Sequence, residues 1–330
     1  MPDPLLALAG VAADGSPALQ LRSADGADLL ASTPLPATPG YLSWAADAGV
    51  LFVACTAGDE GFLDAYRLDG AGFVPVDRAA SEPAAVHVAA TADATRVVTA
   101  HYRSGATCCW TFTGDRLGLD ATIAGSGRSV TSRQQSSHAH SALPLADGVL
   151  VADFGADAVR RYRFGPAGPH LAASWAAPPG SGPRHLARTG DTGVLVVCEL
   201  ASTVHRLDAG SLTELAAPVS TLPADYRGAN QTSDIIVHAG TILVGNRGHN
   251  SVAALPPAGG RPHWTPTSGW PRDLSASPGG LLAVANEDTG WLETFRLAPD
   301  HTLAPLRRTA ALAQAITVGY LTPPARSEQP

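Results

Sequence analysis

The sequence predicts an all-β protein: a seven-bladed β-propeller whose last blade is closed by strands from both ends of the chain. Three observations carry this prediction. First, a strand opening on a polar residue recurs, as VHVA at His87, HAHSA at His140, PRHLA at His185, SDIIV at Asp234 and PRDLS at Asp273. Successive openings lie roughly 40 to 55 residues apart, the size of a four-stranded blade. Second, each opening is followed by an apolar strand with its own end residue. These read VVTAHY, LVADF, LVVCEL, LVGNR and AVANE, and place Tyr102, Phe154, Glu199, Arg247 and Glu287 at one equivalent position. Third, no stretch shows 3.6-residue apolar periodicity with helix caps.

The remaining elements follow in order. The N-terminal segment holds three short strands, LLALAG, ALQLRS and DLLAS, separated by the turn sequences ADGSP and ADGAD. A sixth unit begins near Tyr41, in YLSWAADAGVLFVAC, and runs the same course without a charged opening residue. At the other end, AITVGYL supplies one strand before a Pro-rich tail. Three N-terminal strands plus this one make a seventh blade, and such closure removes the free sheet edges of an open array. We therefore expect one domain over residues 1–322 and a flexible tail over 323–330. Gly 34 and Pro 27 are spread evenly, as frequent turns require, and are not gathered into a linker.

Charge and targeting narrow the class. A net charge of −7 argues against a nucleic-acid surface, which wants clustered positive charge. The sequence contains no Lys, so Arg supplies every basic side chain. The opening MPDPLLALAG has an acid and no basic residue ahead of its apolar run, which makes a poor signal peptide and a good first strand. No apolar run reaches membrane-spanning length. Cys55, Cys108, Cys109 and Cys198 form no CxxC pair and read as buried, reduced thiols in a cytoplasmic protein. Cys108 and Cys109, adjacent on a strand, should face opposite sides.

Propeller geometry brings the polar residues together. The first strand of each blade lines the channel, so the loop entering it and the end of the second strand open on one face. His140, Arg184, His185, Asp234 and Asp273 start first strands, while Glu199, Arg247 and Glu287 end second strands. Asp234 and Asp273 read as blade-to-blade ties, and His87 and His185 are equally compatible with structural roles. His138 reads as a support for His140, and Arg272 as a partner of Asp273 or a neighbouring acid. Asp153 and Asp157 read as turn residues accepting from backbone amides. Trp175, Trp264 and Trp270, read as lying on the loops SWAAPPGSG and PPAGGRPHWTPTSGW, offer walls for a sugar or aromatic ligand. His140, Arg184, Glu199 and Arg247 stand apart: one imidazole, one carboxylate and two guanidiniums in one cleft suit acid–base work on an anionic substrate.

Other chemistries fit poorly. His138 and His140 point to one side of a strand, but no third ligand lies at a recognisable spacing, so no metal is expected. GSGR and GSGP precede no helix that would make a phosphate loop, and there is no GxSxG elbow.

Five segments together resemble the seven-bladed propeller lactonase family, which includes propeller-type 6-phosphogluconolactonases and carboxy-muconate lactonizing enzymes. They are EPAAVHVAATADATRVVTAHYRSG, HAHSALPLADGVLVADFGADAV, GSGPRHLARTGDTGVLVVCELASTV, ILVGNRGHNSV and GWPRDLSASPGGLLAVANE. The resemblance covers most of the chain and implies catalytic or substrate-binding roles for His140, Arg184, Glu199 and Arg247, with no metal or organic cofactor. Further substrate contacts are expected from His138, His185, Arg272, Glu287 and Tyr102. One departure concerns Asn286-Glu287, where the family often has Asn-Gln. The extra negative charge near the mouth argues against a phosphorylated or multiply charged substrate.

The implied activity is hydrolysis of a sugar-type or carboxylated lactone, 6-phosphogluconolactonase-like and part of carbohydrate metabolism. The expected partner is a small lactone or organic anion, with no nucleic acid and no membrane, and the chain is expected to be a monomer or weak homo-oligomer. Cycloisomerisation of an unsaturated diacid uses the same quartet, and a non-catalytic binding propeller is the third reading.

Overall fold

Apolar second strands and exposed outer strands sort each unit of the chain from the inside outward. Gly148–Asp153 and Gly193–Cys198 are buried at every position, whereas Glu214–Ser220, the last strand of its unit, is exposed at every position. In the computed structural model, which describes residues 4–70, 72–257 and 260–322, this gradient builds seven four-stranded antiparallel sheets. Blades 1 to 6 cover 38–81, 85–123, 139–176, 183–220, 231–266 and 271–310 in chain order. Blade 7 combines Leu5–Val11, Pro17–Arg22 and Leu29–Pro34 with the C-terminal strand Gln314–Leu321, which takes the innermost place. The expected closure is therefore present. Residues 323–330, expected as a tail, lie outside the described residues.

Apolar clusters fill the spaces between neighbouring blades. One joins Phe52 and Leu63 of blade 1 to Val88, Cys108 and Trp110 of blade 2. Another joins Cys109 and Val98 of blade 2 to Val149 and Val151 of blade 3. Cys108 and Cys109 thus face opposite sides of their sheet, and all four thiols are buried and unbridged.

A backbone feature recurs at the start of the inner strands. Ala139 pairs with Asp153 and Ser141 with Ala152, which leaves His140 bulged. By the same test Arg184 is bulged between Pro183 and His185, Arg272 between Pro271 and Asp273, Val86 between Ala85 and His87, and Gly40 between Pro39 and Tyr41. Ile316 is bulged in blade 7, and in blade 5 the pairing shifts across Ser233 and Asp234. A bulge sets two consecutive residues against one partner, so both are available to the channel.

This corrects one alignment drawn from the sequence. His140 does not occupy the position of His87, His185, Asp234 and Asp273. It matches Arg184 and Arg272, and Ser141 takes the place beside the other histidines. An inserted bulge residue is invisible to a period-two reading, and a one-residue slip reassigns a side chain to a different ring.

Candidate active site

Arg184 and Glu199 are placed by the same short stretch of chain. Gly182 has a φ of 64°, and a Cβ there would lie 2.7 Å from the Phe154 ring, so glycine is required at this turn. Its amide donates to Asp157 Oδ1 at 2.7 Å, and its carbonyl accepts from the amide of Glu199 at 2.7 Å. The bulge then turns Arg184 into the mouth, beside Glu199 at the end of the neighbouring strand. Equivalent amide bonds run from Tyr102 to Ala84, Phe154 to His138 and Glu287 to Trp270. Arg247 pairs with Gln231 at the matching place in blade 5.

Glu199 is fully buried under three guanidiniums. Its Oε2 meets Arg184 Nη1 at 2.6 Å and Arg247 Nη2 at 2.8 Å, and its Oε1 accepts from Arg133 Nη1 at 2.7 Å. Burial alone would raise its pKa, but Arg184, Arg247 and Arg133 outweigh burial and hold it at about 2. Burial, with the charge of Arg184 adding to it, brings Arg247 down to about 9, still cationic at neutral pH. Arg184 Nη1 also donates to His140 Nε2 at 2.7 Å. Because a guanidinium only donates, His140 is neutral with its proton on Nδ1, which has no partner. Burial first, then the charge of Arg184, keeps His140 well below the usual histidine range.

The quartet is therefore one connected cluster, with Arg184 bonded to His140 and Glu199, and Glu199 bonded to Arg247. The outer residues divide. Tyr102 stacks on His138 at 4.4 Å and meets His140 edge-on at 5.6 Å, while His138 Nδ1 is taken up by the Tyr102 carbonyl at 2.6 Å. His138 thus supports His140 through Tyr102. Arg272 pairs with Glu287 at 2.6 Å, not with Asp273. The negative charge of Glu287 is matched locally, so it does not weigh against a phosphorylated or multiply charged substrate in the way expected from the sequence. Trp270 lies 5.5 Å from the Arg247 guanidinium. Trp175 and Trp264 do not reach the site: Trp175 packs in the core between blades 3 and 4, and Trp264 donates to the Thr221 carbonyl. Among the described residues, no cluster of three or more metal-ligating side chains occurs.

Arg133 escaped the sequence reading. It lies on the connection at 124–138, outside any strand, and only the fold carries it to Glu199. Its neighbour Gln134 is fully buried and donates to the Phe154 carbonyl at 2.8 Å and Asp157 Oδ1 at 2.7 Å. Its nearness to the HAH segment was the one sequence signal available.

Below the quartet, the residues following the bulges close the channel. Tyr41 stacks on His87 at 4.5 Å, both meet the His185 ring edge-on, and His185 Nδ1 bonds Asp234 Oδ1 at 2.7 Å. His185 is thus part of this floor. Asp234 accepts from the amide of Leu274 in blade 6, and Asp273 from Thr317 and Val318 in blade 7, so both carboxylates tie adjacent blades. Burial pushes this carboxylate pair upward, and the charge of Asp234 adds to it at Asp273, so the pair retains a proton well above the ordinary carboxylate range. Beyond the floor, a cavity of about 560 Å³ opens at the other end of the channel.

The family model described as "Lactonase, 7-bladed beta-propeller" matches residues 21–319. The chain belongs to this family. A 6-phosphogluconolactonase of Bacillus subtilis is 29% identical over 306 residues, which cover 86% of this chain and 87% of that protein. An uncharacterized protein of Lactococcus lactis is 31% identical over 75% of this chain and 77% of its own length. Among solved structures, the periplasmic gluconolactonase of Pseudomonas aeruginosa superposes with a TM-score of 0.84 at 23% identity, covering 97% of this chain and 99% of that one. At that identity the structural likeness speaks for the fold, while the family and the Bacillus relative support lactonase function.

Proposed function

We propose that this propeller hydrolyses the ring ester of a lactone carrying an anionic group, by acid–base chemistry at the mouth of its channel. The observation that carries this reading is the single buried carboxylate of Glu199 held beneath three guanidiniums. Subtracting that carboxylate from the guanidiniums leaves an excess of two positive charges, since Arg272 and Glu287 cancel. An unmatched buried charge is costly, so the mouth favours an anion.

In this mechanism Arg184 and Arg247 bind the substrate anion and stabilise the oxyanion that forms as water attacks the carbonyl carbon. Glu199 takes the proton from that water and returns it to the ring oxygen as the C–O bond breaks. Two groups compete for the role of base, and the hydrogen bonds favour Glu199, because the only free lone pair of His140 is engaged by Arg184. His140 then serves to orient Arg184. These steps call for no metal or organic cofactor.

The test is proton release at fixed pH from gluconolactone, 6-phosphogluconolactone and muconolactone. The native chain should turn over at least one of them, and Glu199→Gln should lower that rate by about 100-fold or more. No turnover on any of the three would overturn lactone hydrolysis, and loss of muconate absorbance would then identify cycloisomerisation.

A further inference from the structure

The two oxygens of Glu199 are held differently. Oε2 is fixed by Arg184 and Arg247, whose side chains are 6% and 7% exposed, whereas Oε1 is held by Arg133, whose side chain is 42% exposed. Arg133 lies over the face of Phe154, 4.7 Å from the ring centre, and makes a long 3.4 Å contact with Gln231 Oε1. Its backbone is anchored through buried Gln134, so the loop stays in place while the guanidinium can swing. Arg133 is partly solvated, so an incoming anion can compete for it while Glu199 keeps Arg184 and Arg247 as partners. The deeper pairs on Oε2 cannot be separated as cheaply, because each would leave a buried charge unmatched.

We propose that Arg133 is the specificity-determining residue of this site: it caps Glu199 Oε1 in the empty mouth, and the anionic substituent of a lactone draws it away. The inference rests on the lactone-hydrolysis reading and adds to it a coupling between recognition and chemistry. With Arg133 on the substrate, Oε1 is free to accept a proton. A water O–H bond then breaks toward Oε1, and the water oxygen bonds the carbonyl carbon as the carbonyl π pair moves onto its oxygen. The tetrahedral intermediate collapses by re-forming C=O and breaking the ring C–O bond, and the proton on Oε1 passes to the departing oxygen. A neutral lactone leaves the cap in place, so preference for the anionic substrate is expressed in kcat as well as KM.

The experiment compares native chain, Arg133→Gln and Arg133→Lys on neutral gluconolactone and on 6-phosphogluconolactone, with thermal melts to confirm folding. For Arg133→Gln, kcat/KM on the phosphorylated lactone should fall about 10- to 100-fold, the worth of a charged hydrogen bond. Its kcat on gluconolactone should rise severalfold, because Oε1 is uncapped. Arg133→Lys should restore part of the anionic preference. A ratio between the two substrates unchanged within about twofold, or a parallel fall on both, overturns the role of Arg133 and leaves lactone hydrolysis standing. Absence of turnover by the native chain overturns both readings.

Discussion

Two rings of side chains lie one residue apart along the inner strands, and they hold charge in opposite ways. The upper ring, at the bulges, contains His140, Arg184 and Arg272, with Glu199 and Arg247 alongside. There positive charge exceeds negative, and the carboxylate is held ionised with a pKa of about 2. The lower ring contains Tyr41, His87, His185, Asp234 and Asp273. There carboxylates outnumber cations, and burial makes the pair keep a proton. What differs is the neighbouring side chains, which decide whether a buried acid is a charged functional group or a hydrogen-bonded tie.

The upper ring itself is uneven. Blades 3, 4 and 6 place His140, Arg184 and Arg272 at the bulge, whereas blades 1, 2 and 7 place Gly40, Val86 and Ile316 there. One side of the mouth is thus charged and the other apolar, an arrangement that would orient a substrate with one anionic end. Swapping chemistry at equivalent bulges should break this comparison most sharply. Arg184→Ala should lower kcat/KM by roughly 100- to 1,000-fold, in line with about 2.7–4 kcal/mol for a lost oxyanion donor. Val86→Ala at the matching bulge should stay within about threefold of native, since no polar partner is lost. Equal losses in steady-state kinetics would show that the bulge matters for shape alone.

The two rings should also tilt stability in opposite directions with pH. The folded pKa of Glu199 lies below its ordinary value of 4.5, so its contribution is present above that value and is lost as pH falls toward about 2. The Asp234–Asp273 pair is raised in the folded state, so its contribution is present in acid and is lost as pH rises through its elevated range. Denaturant unfolding at a series of pH values above the ordinary carboxylate range should therefore show Asp273→Asn gaining stability relative to the native chain as pH rises. An unchanged slope in that variant would remove the shared proton from the account of the lower ring.

The smallest expected effect concerns Glu287. Its pair with Arg272 is partly exposed and worth at most about 1 kcal/mol. Glu287→Gln should leave the melting temperature nearly unchanged while lowering KM for an anionic lactone about two- to fivefold, because Arg272 is released. A raised KM would instead make Glu287 a direct substrate contact.

Much of this was legible in the residues. The recurrence of HAHSA, PRHLA and PRDLS with LVVCEL and LVGNR reflects blade geometry that repeats in sequence, so the seven blades and the quartet could be read from spacing. The equivalence of Tyr102, Phe154, Glu199, Arg247 and Glu287 likewise follows from strands of fixed length. Bulges were not legible, because a single extra residue does not disturb apolar alternation enough to show, and His140 was assigned to the wrong ring. Trp175 was misplaced for a related reason: its strand register turns it toward the core, where it packs on His205 at 4.9 Å.

By itself, then, the sequence determined the all-β architecture, its closure by both termini and the residues that end the second strands, because each is encoded in local periodicity. Only the tertiary structure decided which oxygen of Glu199 meets which arginine, that Arg133 joins them from a connecting loop, and that Arg272 neutralises Glu287. Those facts depend on side chains far apart in the chain meeting across one channel, and no local pattern records the distance between them.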